Sequence, residues 1–179
     1  MNLKLTKRII IVGLILTLSG DLGLGVFASI FGSILFLTGI LNLARIFKHA
    51  EIAPAFFMPV ALQIVLAILG QVVAGKSLPF LVKIYEGLTQ QELKNIEGWV
   101  SWFVPSLILM AVLSIAIFGF FSRAYRILAE SSNIKTFSTV AKLYKWAAFL
   151  FILLVGAVLS IVAQVVAIMG FARIKEEGL

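Results

Sequence analysis

Three glutamines and one aspartate are the side chains best placed to do chemistry in this chain. Gln63, Gln71 and Gln164 each fall inside a long apolar run, and Asp21 sits in a glycine-rich kink, Ser-Gly-Asp-Leu-Gly-Leu-Gly, from Ser19 to Gly25. Amides in such runs either hydrogen-bond one helix to another or line a small polar path, and a carboxylate flanked by glycines at a helix break can coordinate a cation. Helix packing is the plainer reading for the glutamines, and a solvated turn residue is the plainer one for Asp21. No Asp, Glu, Lys, Arg or His falls in the middle of any apolar run. Such residues are the usual marks of proton relays and ion paths, so coupled transport has little to work with.

Constellations for catalysis are missing. His49 is the sole histidine and there is no cysteine, which excludes His-rich and Cys-based metal sites and paired-histidine haem ligation within the chain. Without a neighbouring histidine the serines lack a base, and no two carboxylates form a spaced pair on one helix face. Gly20, Gly23 and Gly25 follow an apolar segment and not a strand, with no Lys-Ser/Thr after them, so they do not make a phosphate-binding loop. Neither an enzyme acting alone nor a bound cofactor is expected.

The elements that would hold these residues come from composition. Hydrophobic residues make up 61% of the 179, charged residues only 13%, and mean hydropathy is +1.12. A soluble domain carries roughly 25% charged residues. The fold class is therefore an all-α, polytopic membrane bundle in one domain, residues 1–179. A bilayer core of about 30 Å needs about 20 helical residues, which places spans near 4–20, 24–44, 55–75, 100–122 and 146–171, an outer loop at 76–98 and an inner basic loop at 123–145. Pro105 falls in the first turns of the fourth span, where a missing N–H does least harm. The alternative is four spans, the first long and kinked through the glycines. In the outer loop Thr89-Gln90-Gln91-Glu92 has the form of a capping box, predicting a short helix toward Trp99. Trp99, Trp102 and Trp146 fall where an aromatic belt belongs.

Charge decides between those layouts. With five spans and a cytoplasmic N-terminus, ten Lys and Arg lie inside and five, including Arg173 and Lys175, outside; a single crossing from Ile9 to Ala44 removes nearly all of that bias. The net charge of +7 reflects cations clustered beside apolar runs, where they face headgroups, so no nucleic-acid partner is expected. Arg123, Arg126, Lys135, Lys142 and Lys145 of the inner loop are candidates for contact with anionic lipid or a partner. Small residues form helical stripes, Gly156, Ser160, Ala163, Ala167 and Gly170 in the last span and Gln63, Ala67, Gly70 and Ala74 in the third, which would let helices approach closely within the chain or between copies. Ala28, Gly32 and Gly39 make a sparser run.

The stretch from Ala124 to Phe171 resembles the C-terminal half of a family of prokaryotic membrane proteins classed as domain of unknown function 996. The resemblance rests on the helix end Tyr125, Leu128, Ala129, Glu130, followed by Lys135, Phe137 and a long aliphatic span. The start, LSGDLGLGVFASIFGSILFLTGI, is similar to the family's N-terminal hairpin. The family turn is usually Thr-Gly where this chain has Ser132-Asn133, and residues of the central loop have no counterpart. The resemblance implies a bacterial or archaeal plasma membrane and transfers no activity. The expected role is that of an accessory subunit or self-associating scaffold in the bilayer; the alternatives are a small transporter or channel near Gln63, Gln71 and Gln164, or anionic-lipid binding at the inner loop.

Overall fold

The computed structural model describes residues 2–20, 22, 25–86, 90–151 and 155–174, apart from the side chains of most residues between 80 and 97. Six α-helices lie among them: α1 (Leu3–Ser19), α2 (Val26–Phe47), α3 (Ile52–Glu86), α4 (Gln90–Ser132), α5 (Lys135–Leu150) and α6 (Val155–Ala172). Four of these, α2, α3, α4 and α6, are long and apolar enough to cross a membrane. At about 1.5 Å per residue α1 and α5 reach only roughly 25 Å.

Caps and turns explain the breaks. Asn2 Oδ1 accepts from the Lys4 N–H at 2.6 Å and starts α1. Gly25, at φ 99°, leads into α2 with a backbone that only glycine adopts freely. Lys48 ends α2 in the left-handed region, where its N–H bonds to the Arg45 carbonyl and that of His49 to the Ala44 carbonyl, a Schellman closure. Asn133, at φ 53°, likewise stands in the left-handed region at the end of α4. Asparagine tolerates this region far better than most side chains, which accounts physically for its standing where the resembling sequences carry glycine.

Neighbouring helices run antiparallel throughout. A Cβ built on Gly20 would strike Ser29, one on Gly32 would lie 2.7 Å from both the Gly13 carbonyl and Thr17 Oγ1, and one on Gly39 would strike Ile10. These pairs order α1 and α2 as a hairpin in backbone contact, so the single bent helix across residues 9–44 is excluded. Buried positions on α1 (Leu3, Thr6, Ile10, Gly13, Thr17) and on α2 (Ser29, Gly32, Phe36, Gly39, Leu43) alternate by three and four, the spacing of left-handed packing. Of the sparse run Ala28, Gly32, Gly39, the two glycines belong to this seam, Gly32 against Gly13 and Thr17 and Gly39 against Ile10, whereas Ala28 is half-buried beside it.

The remaining helices differ from expectation in two ways. Residues 76–98 are not a loop, since α3 continues to Glu86 and α4 starts at Gln90; a bilayer limits how much helix it can hold but does not end a helix. Thr89 lies outside the described residues. Pro105 is consequently deep inside α4, where it deprives the Ser101 carbonyl of its helical donor. Likewise, residues 123–132 belong to α4, and the inner basic loop contracts to Asn133 and Ile134.

The second difference is larger. Residues 146–171 are not one crossing. Phe137, at the start of α5, meets Phe171, at the end of α6, with ring centroids 4.9 Å apart; Arg173 Nη1 donates to Thr136 Oγ1 at 3.5 Å, and Gly156 packs on Ala147 and Phe151. The chain therefore folds back between α5 and α6, and α6 returns along α5. Lys7 Nζ donates to the Ile174 carbonyl at 2.7 Å, joining the first helix to the last. Arg173 thus lies at the end that carries Lys4 and Lys7, not at the opposite end, as five crossings require. Lys76 is exposed on the far part of the α3–α4 hairpin.

Side-chain hydroxyls are mostly turned back on their own helices. Thr17, Thr38, Ser77, Ser106, Ser114 and Ser132 each donate to the carbonyl four residues earlier, at 2.6–2.9 Å. This satisfies them without a partner, as a hydrocarbon surrounding demands.

Two outcomes are expected. Replacing Gly32 by Leu drives a side chain into the α1 backbone and should cost more than about 3 kcal/mol, whereas Gly119→Ala, with nothing within 4 Å of the new Cβ, should leave stability unchanged or raise it by up to about 1 kcal/mol; unfolding in mild detergent compares the two. Cysteines placed at Thr136 and Arg173 should be joined within one chain by a short bis-maleimide crosslinker in membranes, visible as a mobility shift. A straight span from 146 to 171 would keep them apart.

Candidate functional site

A half-open cavity of about 260 Å³ lies where α3, α4, α5 and α6 meet. Its polar groups are Gln63 from α3, Tyr144 from α5, and Ser160 and Gln164 from α6; Phe118 and Phe121 of α4 form an aromatic wall. Gln164 is 8% exposed, and its Oε1 is buried with no hydrogen-bond partner among the described residues. A buried amide oxygen without a donor costs about 1–3 kcal/mol, so the fold carries an unmet demand at this wall. Ser160 donates to the Ala157 carbonyl at 2.7 Å, leaving its oxygen free to accept. Among the described residues, no Lys, Arg, Asp, Glu or His lines the space.

The structure brings Gln63 and Gln164 to one cavity, 101 positions apart in the chain. Gln71 is not part of it; two turns further along α3, it is exposed. The three glutamines therefore do not form one path. Asp21 lies outside the described residues. Ala67 lines the cavity, a Cβ built on Gly70 would lie 3.5 Å from Met110 Cε, and Ala74 is exposed. In the last stripe Gly156, Ala163, Ala167 and Gly170 are buried and Ser160 is half-buried, with Gly170 against the Phe137 ring.

The five basic candidates divide into separate places. Lys142 and Lys145 share one exposed face of α5 with Trp146 and Phe149, which are 60% and 68% exposed and edge a surface recess. Phe137, Val140, Ala141, Tyr144 and Ala147 occupy the opposite, buried face, so α5 is amphipathic. Arg123 borders a different recess with Glu51, Pro54 and Met58. Arg126 and Lys135 are exposed and belong to neither. Trp99 and Trp102 brace the far part of the α3–α4 hairpin: Trp99 stacks on Phe103 at 4.3 Å and Lys76 Nζ lies 5.7 Å over the Trp102 ring.

What reasoning on residue types missed is the partnering. The Gln63–Gln164 cavity needs the fold-back of α6, and the seam on Gly13 and Gly20 needs the hairpin register. Glycine at 13, 20, 32 and 39, separated by seven within each helix, was the available signal for the seam.

Such an arrangement defines a class: an all-helical bundle with membrane-type apolar helices and a small uncharged cavity between four of them. A family model described as protein of unknown function (DUF996) matches residues 28–165. The chain belongs to that family. No curated protein and no solved structure matches it.

Proposed function

We propose that this protein acts by assembly and not by catalysis, as an accessory subunit or self-associating scaffold in the plasma membrane, and that the far part of the α3–α4 hairpin is where it meets its partner. The supporting observation is the thin cover on that hairpin. Only 11% of the apolar stretch of α4 and 22% of that of α3 are buried, against 39% for α2 and 33% for α6. Exposed Leu and Val are ordinary against lipid, so the small residues carry the argument. A Cβ on Gly75 meets nothing within 4 Å, and beside it Ala74 is exposed, which leaves a notch where another helix can bring its backbone close. A cytoplasmic N-terminus goes with this reading, since the end bearing Lys4, Lys7, Arg8, Arg45, Lys48 and Arg173 is the cation-rich one.

The chain has no natural cysteine, so Gly75→Cys supplies a unique handle. Crosslinking in native membranes should give a covalent homodimer or one discrete larger product from Gly75→Cys and none from Ile15→Cys on α1. A chain that stays monomeric in mild detergent and yields no product at position 75 would overturn the reading.

The α5 face favours a second role, anionic-lipid contact. Lys142 and Lys145 beside exposed Trp146 and Phe149 combine charge with aromatic anchors, and each cation near an anionic surface contributes about 1 kcal/mol. Lys142→Gln with Lys145→Gln should cut retention of phosphatidylglycerol during purification several-fold, with the loss mimicked by raising salt. Equal retention in the double variant at low salt would exclude it.

A further inference from the structure

We infer that the cavity between α3, α4, α5 and α6 is a binding site for a small neutral amphiphile carrying a hydroxyl on an apolar ring. Three observations point to this class. The first is polarity: Gln164 lines the cavity, is buried, and has an amide oxygen without a donor. Its terminal torsion is soft, so the amide can present either its oxygen or its NH₂ to the cavity. A hydroxyl both donates and accepts, and therefore meets either orientation. Gln63 and Ser160 stand on the same walls as further hydrogen-bonding groups.

The second is charge. Among the described residues no cation or carboxylate lines the space, and a charged ligand headgroup would enter with no counter-charge from them, at a cost of several kcal/mol. This excludes phosphate, carboxylate and ammonium ligands in favour of neutral ones. The third is size and wall chemistry. A cavity of about 150 Å³ accommodates benzene, so about 260 Å³ admits one ring with a hydroxyl and a short alkyl substituent. Phe118, Phe121 and Tyr144 supply the aromatic surface against which such a ring packs edge or face. The recess is open on one side, which gives a ligand of this kind an entry.

The test uses the full chain in lipid nanodiscs with 4-butylphenol and, as the analogue lacking the hydroxyl, butylbenzene, followed by saturation-transfer NMR with empty nanodiscs as background. Butylphenol should bind saturably and at least tenfold more tightly than butylbenzene. Gln164→Leu should lower butylphenol affinity about tenfold and abolish the preference between the two probes, a change that loss of packing alone would not produce. Ala67→Leu fills the cavity from α3 without touching the amide and should abolish binding of both probes, which keeps the site testable if Gln164→Leu does not fold. The inference is overturned if wild-type chain shows no saturable binding, as a cavity holding only water would, if it binds both probes equally, or if Ala67→Leu leaves binding intact.

Discussion

The bundle is organised around Tyr125. Its ring is fully buried and touches Phe56 of α3 edge-on at 5.0 Å, Tyr144 and Phe137 of α5 at 5.7 and 6.2 Å, and Phe171 of α6 at 6.4 Å, while Phe36 of α2 joins the same group through Phe56 and Phe171. Five of the six described helices therefore meet in one aromatic cluster. Lipid gives helices little hydrophobic reason to associate. Rings contribute large contact areas and about 0.5–1.5 kcal/mol per well-oriented pair beyond burial, so the cluster supplies the long-range attraction that the aliphatic surfaces lack. α1 is outside the cluster and is held by its glycine seam on α2 and by Lys7 on the Ile174 carbonyl.

The same cluster sets the cavity. Phe121 and Tyr144 stack at 5.2 Å, and both line the space that holds Gln63 and Gln164. An amide left without a donor beside rings this closely packed has little freedom to find another partner within the chain. The cost of that arrangement is borne by the packing around Tyr125, whose own hydroxyl is also buried without a partner among the described residues.

Much of the fold was legible in the residues and some was not, for physical reasons. The glycines from Gly20 to Gly25 announced a reversal, and Asn133 announced the end of α4, because positive-φ backbone has few sequence solutions. The fold-back between α5 and α6 had no such mark. The run from Ala147 to Gly170 is apolar apart from Ser160 and Gln164, has the length that crosses a bilayer, and carries neither Pro nor charge. A signal was present upstream: Phe137, Val140, Ala141, Tyr144 and Ala147 already trace one buried helical face, so α5 is a complete amphipathic helix before the aliphatic run begins. Helix length is illegible for a different reason, since membrane thickness bounds the crossing and not the helices that extend past it. For the site, the residue types were readable but the meeting of Gln63 with Gln164 was not, as it depends on that unmarked turn.

The bond from Lys7 to Ile174 spans 167 positions. At roughly 5–20 residues per second of synthesis, about 8–33 s separate the making of its donor from that of its acceptor. Throughout that interval the nascent N-terminal hairpin has one flank uncovered, and the bundle becomes a closed ring only when its final helix arrives. The order of manufacture therefore leaves α1 waiting for α6 before the Lys7 bond can close the bundle.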